Sequence, residues 1–322
     1  MNELETSYFA TQGIHCLNPI ANGAFGSVYN VYSSNYRNNF ALKKIPTKSF
    51  KESEIQCLKA IDDSRIVSLF NYYEFNDSVY LLMEYCPSDL ETLFKNRSSM
   101  QPVQICKYIY DAIAAVKSCH YRNIAHCDIK PNNFLIDKYG RVKIGDFGLS
   151  KIFFDNPSSI DFHGTKLFMA PEIFYKKEYN PMQADIWALG VTIYHLVTGG
   201  FPYLSSDPKL LLEKIERGVY RDEYIDDRLL ANLISRCLVY KPENRATVDE
   251  LLSMPYFQQF QFGKDVIEAS FMNCHSGVNI IKPNLRPKRS NLANHSLLIF
   301  RNLRSSRLQL IEGPSKSHEN LV

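Results

Sequence analysis

The chain has 322 residues, 45% of them hydrophobic and 22% charged, with a formal net charge of +3. Those proportions belong to an ordinary globular protein of one large or two medium domains, not to a disordered or fibrous chain. So small a charge neither selects nor excludes an anionic partner.

The N-terminus, MNELETSYFA, lacks a basic stretch leading into an apolar run, so no signal peptide is expected and residues 1–13 read as an extension. From about residue 14 to 85 the pattern is strand-like. GSVYNVYS, FALKKI, SLFNYYEF and SVYLLMEY are separated by polar breaks. One helical segment interrupts them, FKESEIQCLKAI, with Ile55, Leu58 and Ile61 on one face. Beyond residue 87 the pattern turns helical. PVQICKYIYDAIAAVKSCH spaces Val103, Cys106, Ile109 or Tyr110, Ile113 and Val116 three and four apart. DIWALGVTIYHLVTG is apolar nearly all round, which predicts a buried core helix; it is too short and interrupted to span a bilayer. TVDELLSMPYF opens with Thr247 and has Glu250 three residues on, a capping-box signature. No internal repeat is visible. The layout predicts an α+β chain: a small β-rich lobe, about 14–85, then a larger α-rich lobe, about 87–257.

Residues 258–322 differ. KPNLRPKRSNLANHS and FRNLRSSRLQL are basic and broken by Pro and Ser, the composition of a solvated, partly disordered tail. A nuclear-localisation or docking role for RPKRS, through a regulatory partner, is the alternative. The eight cysteines are scattered, with no CxxC pair. They read as reduced thiols of an intracellular protein, in cytoplasm or nucleus, rather than as a metal site or disulfide framework.

Several short stretches carry chemistry. In IANGAFGSVY, Gly23 and Gly26 leave backbone amides free to approach phosphate oxygens. In FALKK, Lys43 follows Ala41 by two and so shares its strand face. Lys43 on its own reads equally as a solvated lysine, and Lys44 beside it is expected to be exposed. HCDIKPNN has Asp128, Lys130 and Asn133 close together, and taken alone is a polar turn. IGDFGLS follows thirteen residues after Asn133, and FLIDKYGRVKI between them reads as a hairpin with its tip at DKYG. A hairpin brings its ends together, so Asn133 and Asp146 are expected side by side.

Taken in order and at these spacings, the motifs resemble those of the eukaryotic-type protein kinases, serine/threonine-specific in their Asp-x-Lys-Pro form, over residues 14–257. The resemblance implies a bilobal fold that binds ATP and Mg²⁺ between the lobes. ATP contacts would come from Ile20, Ala21, Asn22, Gly23, Ala24, Phe25, Gly26, Ser27 and Val28 in the Gly-rich loop, where Ala21 replaces the first Gly. Ala41, Lys43, Glu54, Met83, Glu84, Cys86 and Leu135 would complete the pocket. Lys43 would reach the phosphates and pair with Glu54; Val28, Ala41 and Leu135 would enclose adenine; Glu84 to Cys86 would form the hinge, with Met83 behind it. Asp128 would accept the proton of a substrate hydroxyl, Lys130 would neutralise the transferring group, and Asn133 and Asp146 would bind Mg²⁺. Thr165, the Glu172–Arg245 pair and Asp185 match structural positions of the family, and Leu58, Leu69, His126 and Phe147 match its apolar column between lobes.

The residue before Asp128 is Cys127, where most of the family has Arg. In the family that Arg makes activity depend on a phosphate in the activation segment. Cys cannot pair with phosphate, so the expectation is a kinase active without that modification, in a signalling or cell-division setting. Asn132 and His195 stand where basophilic kinases often carry acids, with only Asp89 left near the hinge. No strong demand for Arg upstream of the target hydroxyl is therefore expected. Two other classes make different predictions. A pseudokinase scaffold predicts loss of Lys43, Asp128 or Asp146, and all are present. A nucleic-acid-binding protein predicts aromatics interleaved with the basic tail, which it lacks. Protein substrates are the expected partners, with no membrane and no nucleic acid.

Overall fold

The computed structural model describes residues 1–260 except 24, 25, 155, 162, 163, 176 and 206. These residues all fall within one unit, Met1–Ser276. Of the basic tail, all beyond residue 260 lies outside the described residues.

The chain opens with a helix, α1 (Glu3–Thr11). Asn2 caps it: its side chain accepts from the Glu5 amide, and Glu5 reaches back to the Asn2 amide. Strands β1 (Ile14–Gly23), β2 (Gly26–Ser33) and β3 (Asn38–Pro46) follow, then α2 (Glu52–Ala60), β4 (Leu69–Phe75) and β5 (Ser78–Glu84). The five strands form one antiparallel sheet in the order β1-β2-β3-β5-β4.

Strand alternation sorts this sheet into two faces. Phe40 and Leu42 of β3 join Tyr80 and Leu82 of β5 in an outer cluster that Phe9 of α1 completes. Ile45, Val79, Leu81 and Met83 join the main core with Ile55 and Leu58 of α2. Adjacent lysines of β3 therefore go opposite ways. Lys43 pairs with Glu54 of α2, and Lys44 pairs with Glu5 of α1. The expectation of an exposed Lys44 is corrected: α1 covers that face and supplies a buried carboxylate.

Below the sheet, β6 (Ser88–Asp89) and α3 (Leu90–Phe94) lead to α4 (Pro102–His120) and β7 (Ile124–Ala125). Cys106, Ile109, Ile113 and Val116 of α4 are buried as their spacing predicts, whereas Val103 in the first turn is exposed. The hairpin β8 (Phe134–Ile136) and β9 (Val142–Ile144) comes next, with Phe134 opposite Ile144. Then follow β10 (Lys151–Ile152), paired with β7, and α5 (Pro171–Phe174).

The central helix α6 (Pro181–Thr198) starts at an Asn180 cap and stops at left-handed Gly199. It is buried on nearly every side, as its composition predicts. At Gly190 an added Cβ would lie 2.5 Å from Cys237 Cβ, so the missing side chain lets the end of one of the next helices approach. These are α7 (Pro208–Glu216), α8 (Arg228–Cys237), α9 (Val248–Leu252) and α10 (Pro255–Gln258). Thr247 and Glu250 form the expected capping box on α9.

A five-stranded antiparallel sheet with its helices thus stands above a helical lobe, the bilobal α+β arrangement the sequence predicts. Among the described residues no helix is long and apolar enough to cross a membrane.

Candidate active site

The site lies where the sheet meets the helical lobe. Lys43 is 8% exposed, and its Nζ donates to Glu54 at 2.6 Å and to Asp146 at 2.7 Å. Burial works against the Lys43 charge, but Asp146 and Glu54 outweigh it and hold the ammonium above its ordinary value. Burial likewise pushes the Asp146 carboxyl up, and Lys43 outweighs this and holds it below the usual carboxylate range. Both groups are therefore charged at neutral pH.

The second group stands on the loop after β7. Asp128 is 6% exposed. Lys130 Nζ donates to its Oδ2 at 2.7 Å, and Thr165 Oγ1 donates to its Oδ1 at 3.3 Å. Asn133 Nδ2 donates to its backbone oxygen at 2.7 Å and to Oδ2 at 3.1 Å. The amide nitrogen of Asn133 is thereby spent on Asp128, which leaves Oδ1 as the atom for a cation.

Two residues of this region take left-handed backbone, Cys127 at φ 63° and Asp146 at φ 60°. Such a conformation costs about 1–2 kcal/mol for a side chain with Cβ, so something must hold it. At Cys127 the holder is Asp185 of α6. Its buried carboxylate accepts from the amides of His126 at 2.7 Å and Cys127 at 2.9 Å. The hairpin holds the other end: the Gly145 amide donates to the Asn133 carbonyl at 3.0 Å. Asn133 and Asp146 are thus neighbours, as the hairpin argument expects. Phe147 stacks edge-on against His126 with centroids 5.1 Å apart, in the same core cluster as Leu58 and Leu69.

The remaining expected residues that the structure describes stand on β1, β2, β3 and β5, just after β5, and on β8. Gly23 pairs with Gly26 across the β1–β2 turn, while Ala24 and Phe25 lie outside the described residues. Ile20, Ala21 and Asn22 are exposed, and Ser27 and Val28 are half-buried. Val28 stands opposite Lys43, and Ala41 opposite Met83. Ala41, Cys86 and Leu135 are half-buried against the main core. Burial, with Glu84 adding to it, pushes the Cys86 thiol up to about 12, so it is a neutral group.

Some polar residues here escaped the sequence reading. Lys143 of β9 is 4% exposed and donates a salt bridge to Glu84 at 2.9 Å. A lysine between apolar Val142 and Ile144 in a short strand was the available signal. Asp89, singled out as the acid near the hinge, is the N-cap of α3 and accepts from Thr92 N at 2.7 Å. The acid facing His195 is instead Glu91, 3.2 Å from Nε2, while Nδ1 lies 3.0 Å from the Gly200 carbonyl.

Deeper in the helical lobe, Arg245 grips both oxygens of Glu172 at 2.6 and 2.7 Å and also donates to the carbonyls of Gln183, Val239 and Tyr240. That fork fixes the segment carrying Thr165 to α6.

Comparison with known proteins agrees with this geometry. The model of the protein kinase domain matches residues 14–257. The probable serine/threonine-protein kinase MARK-A of Dictyostelium discoideum is 30% identical over 246 residues, 74% of this chain and 23% of that protein. Sperm motility kinase Z of Mus musculus is 31% identical over 210 residues, covering 65% of this chain and 42% of the relative. The carbon catabolite-derepressing protein kinase of Saccharomyces cerevisiae is 29% identical over 247 residues, 74% of this chain and 39% of the relative. The chain thus spans less than half the length of these three relatives. With the domain matched from β1 to α10, the chain belongs to the protein kinase domain family.

Proposed function

We propose that this chain is an ATP- and Mg²⁺-dependent protein kinase acting on Ser and Thr hydroxyls. Residues 14–257 would be its catalytic domain, 1–13 an N-terminal extension and 258–322 a tail. The observation that carries this reading is the set around Asp128: Lys130, Thr165 and Asn133 all within hydrogen-bond distance of it, with Lys43 bridging Glu54 and Asp146.

MgATP supplies the γ-phosphoryl group. Asp128 Oδ accepts the proton of the substrate hydroxyl, held in place by Thr165 and Asn133. Lys130 balances negative charge at the transferring group, and Lys43, oriented by Glu54, holds the phosphates. Asp146 and the Oδ1 of Asn133 are hard oxygen donors, the kind Mg²⁺ takes alongside substrate phosphates. Adenine would sit between Val28, Ala41 and Leu135, against the hinge Glu84–Cys86 with Met83 behind. Residues Ile20 to Ser27 would cover the phosphates.

Cys127 supports a kinase that works without phosphate in its activation segment. Burial, and then the Asp185 carboxylate, push its thiol well up, so it carries no charge to be neutralised. The Glu91–His195 contact supports the absence of a strong demand for upstream Arg, because the carboxylate beside His195 already has a partner.

The test is transfer from radiolabelled ATP to a mixed Ser/Thr/Tyr peptide set, before and after phosphatase treatment. The expected product is phosphoserine and phosphothreonine, with turnover unchanged by the phosphatase. Phosphotyrosine, or no transfer, contradicts the activity; collapse after phosphatase contradicts only the Cys127 reading.

A further inference from the structure

Glu5 is 2% exposed, an unusual depth for a carboxylate on a helix of nine residues. Its two oxygens serve different elements. Oε2 accepts from the Asn2 amide at 3.1 Å and closes the first turn of α1, while Oε1 pairs with Lys44 Nζ on β3, the central strand of the sheet. The Thr247–Glu250 box caps α9 in the same way while exposed. Capping therefore explains neither the burial of Glu5 nor its lysine. The surroundings of the pair are aromatic. Tyr80 stands opposite Lys44 in the β3–β5 register, with Lys44 Nζ 6.0 Å from its ring centroid. Phe9 meets the same ring edge-on, with centroids 4.8 Å apart.

The backbone of Lys44 meets the cleft side of the sheet in two places. It follows directly on Lys43, whose ammonium leaves by the other face to Glu54 and Asp146. Its carbonyl lies 1.9 Å from where a Cβ of Gly26 would stand, and Ser27 is its partner in the β2–β3 register. Side chains 43 and 44 point to opposite faces, so a twist of β3 about its own axis that loosened one contact would displace the other. Of the two partners of Lys43, Asp146 is the one that Mg²⁺ would also engage. The partner of Lys44 lies on the far face of the sheet and is engaged whatever the cleft holds.

We propose that Glu5 and Lys44 are positioning residues for nucleotide use, and that α1 is the brace through which they act. Glu5 fixes the twist of β3 from behind, and that twist aims Lys43 at the phosphates and sets the backbone beside Gly26. This inference rests on the kinase reading above and assigns the N-terminal helix a part in the reaction. Both side chains face away from the cleft, so their effect travels through the β3 backbone.

The experiment compares the full chain with Glu5→Gln, Lys44→Met, the double variant Glu5→Gln/Lys44→Met, Lys44→Arg, and Tyr8→Ala. The last removes the stacking of the same helix on Phe75 and leaves the Glu5–Lys44 pair in place. Each is assayed, at a temperature where all are folded, for MgATP affinity, kcat/KM for MgATP and thermal midpoint. The rate at which an acyl-phosphate derivative of ATP acylates Lys43, followed by mass spectrometry of the labelled peptide, reads the placement of that lysine directly. Glu5→Gln and Lys44→Met are expected to lower kcat/KM for MgATP about fivefold, the low end of energetic coupling between two sites, and to slow the labelling of Lys43. The double variant should be no worse than the worse single one, because both break the same contact. Lys44→Arg keeps the charge and should keep both readouts. Tyr8→Ala should lower the thermal midpoint and leave both readouts near wild type. Unchanged kcat/KM and labelling in the Glu5 and Lys44 variants, or equal losses in Tyr8→Ala, overturn the proposal, since α1 then only adds stability. Wild-type protein that binds MgATP and labels at Lys43 but transfers no phosphoryl group sinks the kinase reading alone, and the labelling rates then decide the role of Glu5. Wild-type protein that binds no MgATP overturns both.

Discussion

Lys43 is held between two carboxylates at a depth where an unpaired ammonium would be costly, and this gives the site a defined pH window. The folded pKa of Lys43 lies above its ordinary 10.5, so its contribution is complete below that value and is lost as pH rises through the folded one. The folded pKa of Asp146 lies below its ordinary 3.8, so its contribution is present above 3.8 and is lost as pH falls through the folded one. Between those limits the pair is intact. Denaturant titrations of wild type and Asp146→Asn should therefore show a stability gap that is constant near neutrality and closes as pH drops below 3.8. A gap that persists in acid would contradict the pairing. Gly26 offers a second test at this scale. Its φ is +136°, and an added Cβ would lie 1.9 Å from the Lys44 carbonyl, which is backbone and cannot swing away. Gly26→Ala is expected to cost about 1–3 kcal/mol of local strain and to raise KM for ATP; an unchanged KM would mean the turn is not held in this form.

At the scale of elements, the parity of β3 decides the architecture of the upper lobe. One lysine serves the cleft and the next fastens α1 to the opposite face. Phe9 is fully buried there among Val31, Phe40, Leu42 and Tyr80, and Tyr8 stacks on Phe75 with ring centroids 4.1 Å apart. Phe9→Ala should therefore destabilise the chain by about 3–5 kcal/mol, measurable as a shift in denaturant midpoint; a loss below 1 kcal/mol, the scale of an ordinary surface substitution, would show that α1 is not docked. This helix was the main element hidden from sequence reasoning. It is short and largely polar, so periodicity gives it little signal. Yet Asn2 and Glu5 carry the same capping-box spacing that marks Thr247 and Glu250, and that was the signal to use. The strands and long helices were legible because their patterns have a single period. The hairpin between Asn133 and Asp146 was legible because turn residues sit at its tip. Lys143, Glu91 and the salt bridge between Lys151 and Asp161 were not, since each pairs residues from separate elements and no local pattern records such a meeting.

Across the whole molecule, both lobes contribute residues to the proposed reaction. The sheet and α2 bring Lys43 and Glu54; the loops held by α6 bring Asp128, Lys130 and Asn133; the hairpin delivers Asp146 between them. Asp185 and Arg245, both almost fully buried, anchor those loops from below. The division of labour predicts that the two central carboxylates fail differently. The most direct measurement is MgATP affinity and peptide turnover, taken side by side for wild type, Asp128→Asn and Asp146→Asn. The account predicts that Asp128→Asn binds MgATP as wild type does but turns over about a hundred- to ten-thousand-fold more slowly, whereas Asp146→Asn loses the Mg²⁺-dependent part of nucleotide binding. Equal loss of binding in both variants, or full turnover in Asp128→Asn, would contradict it.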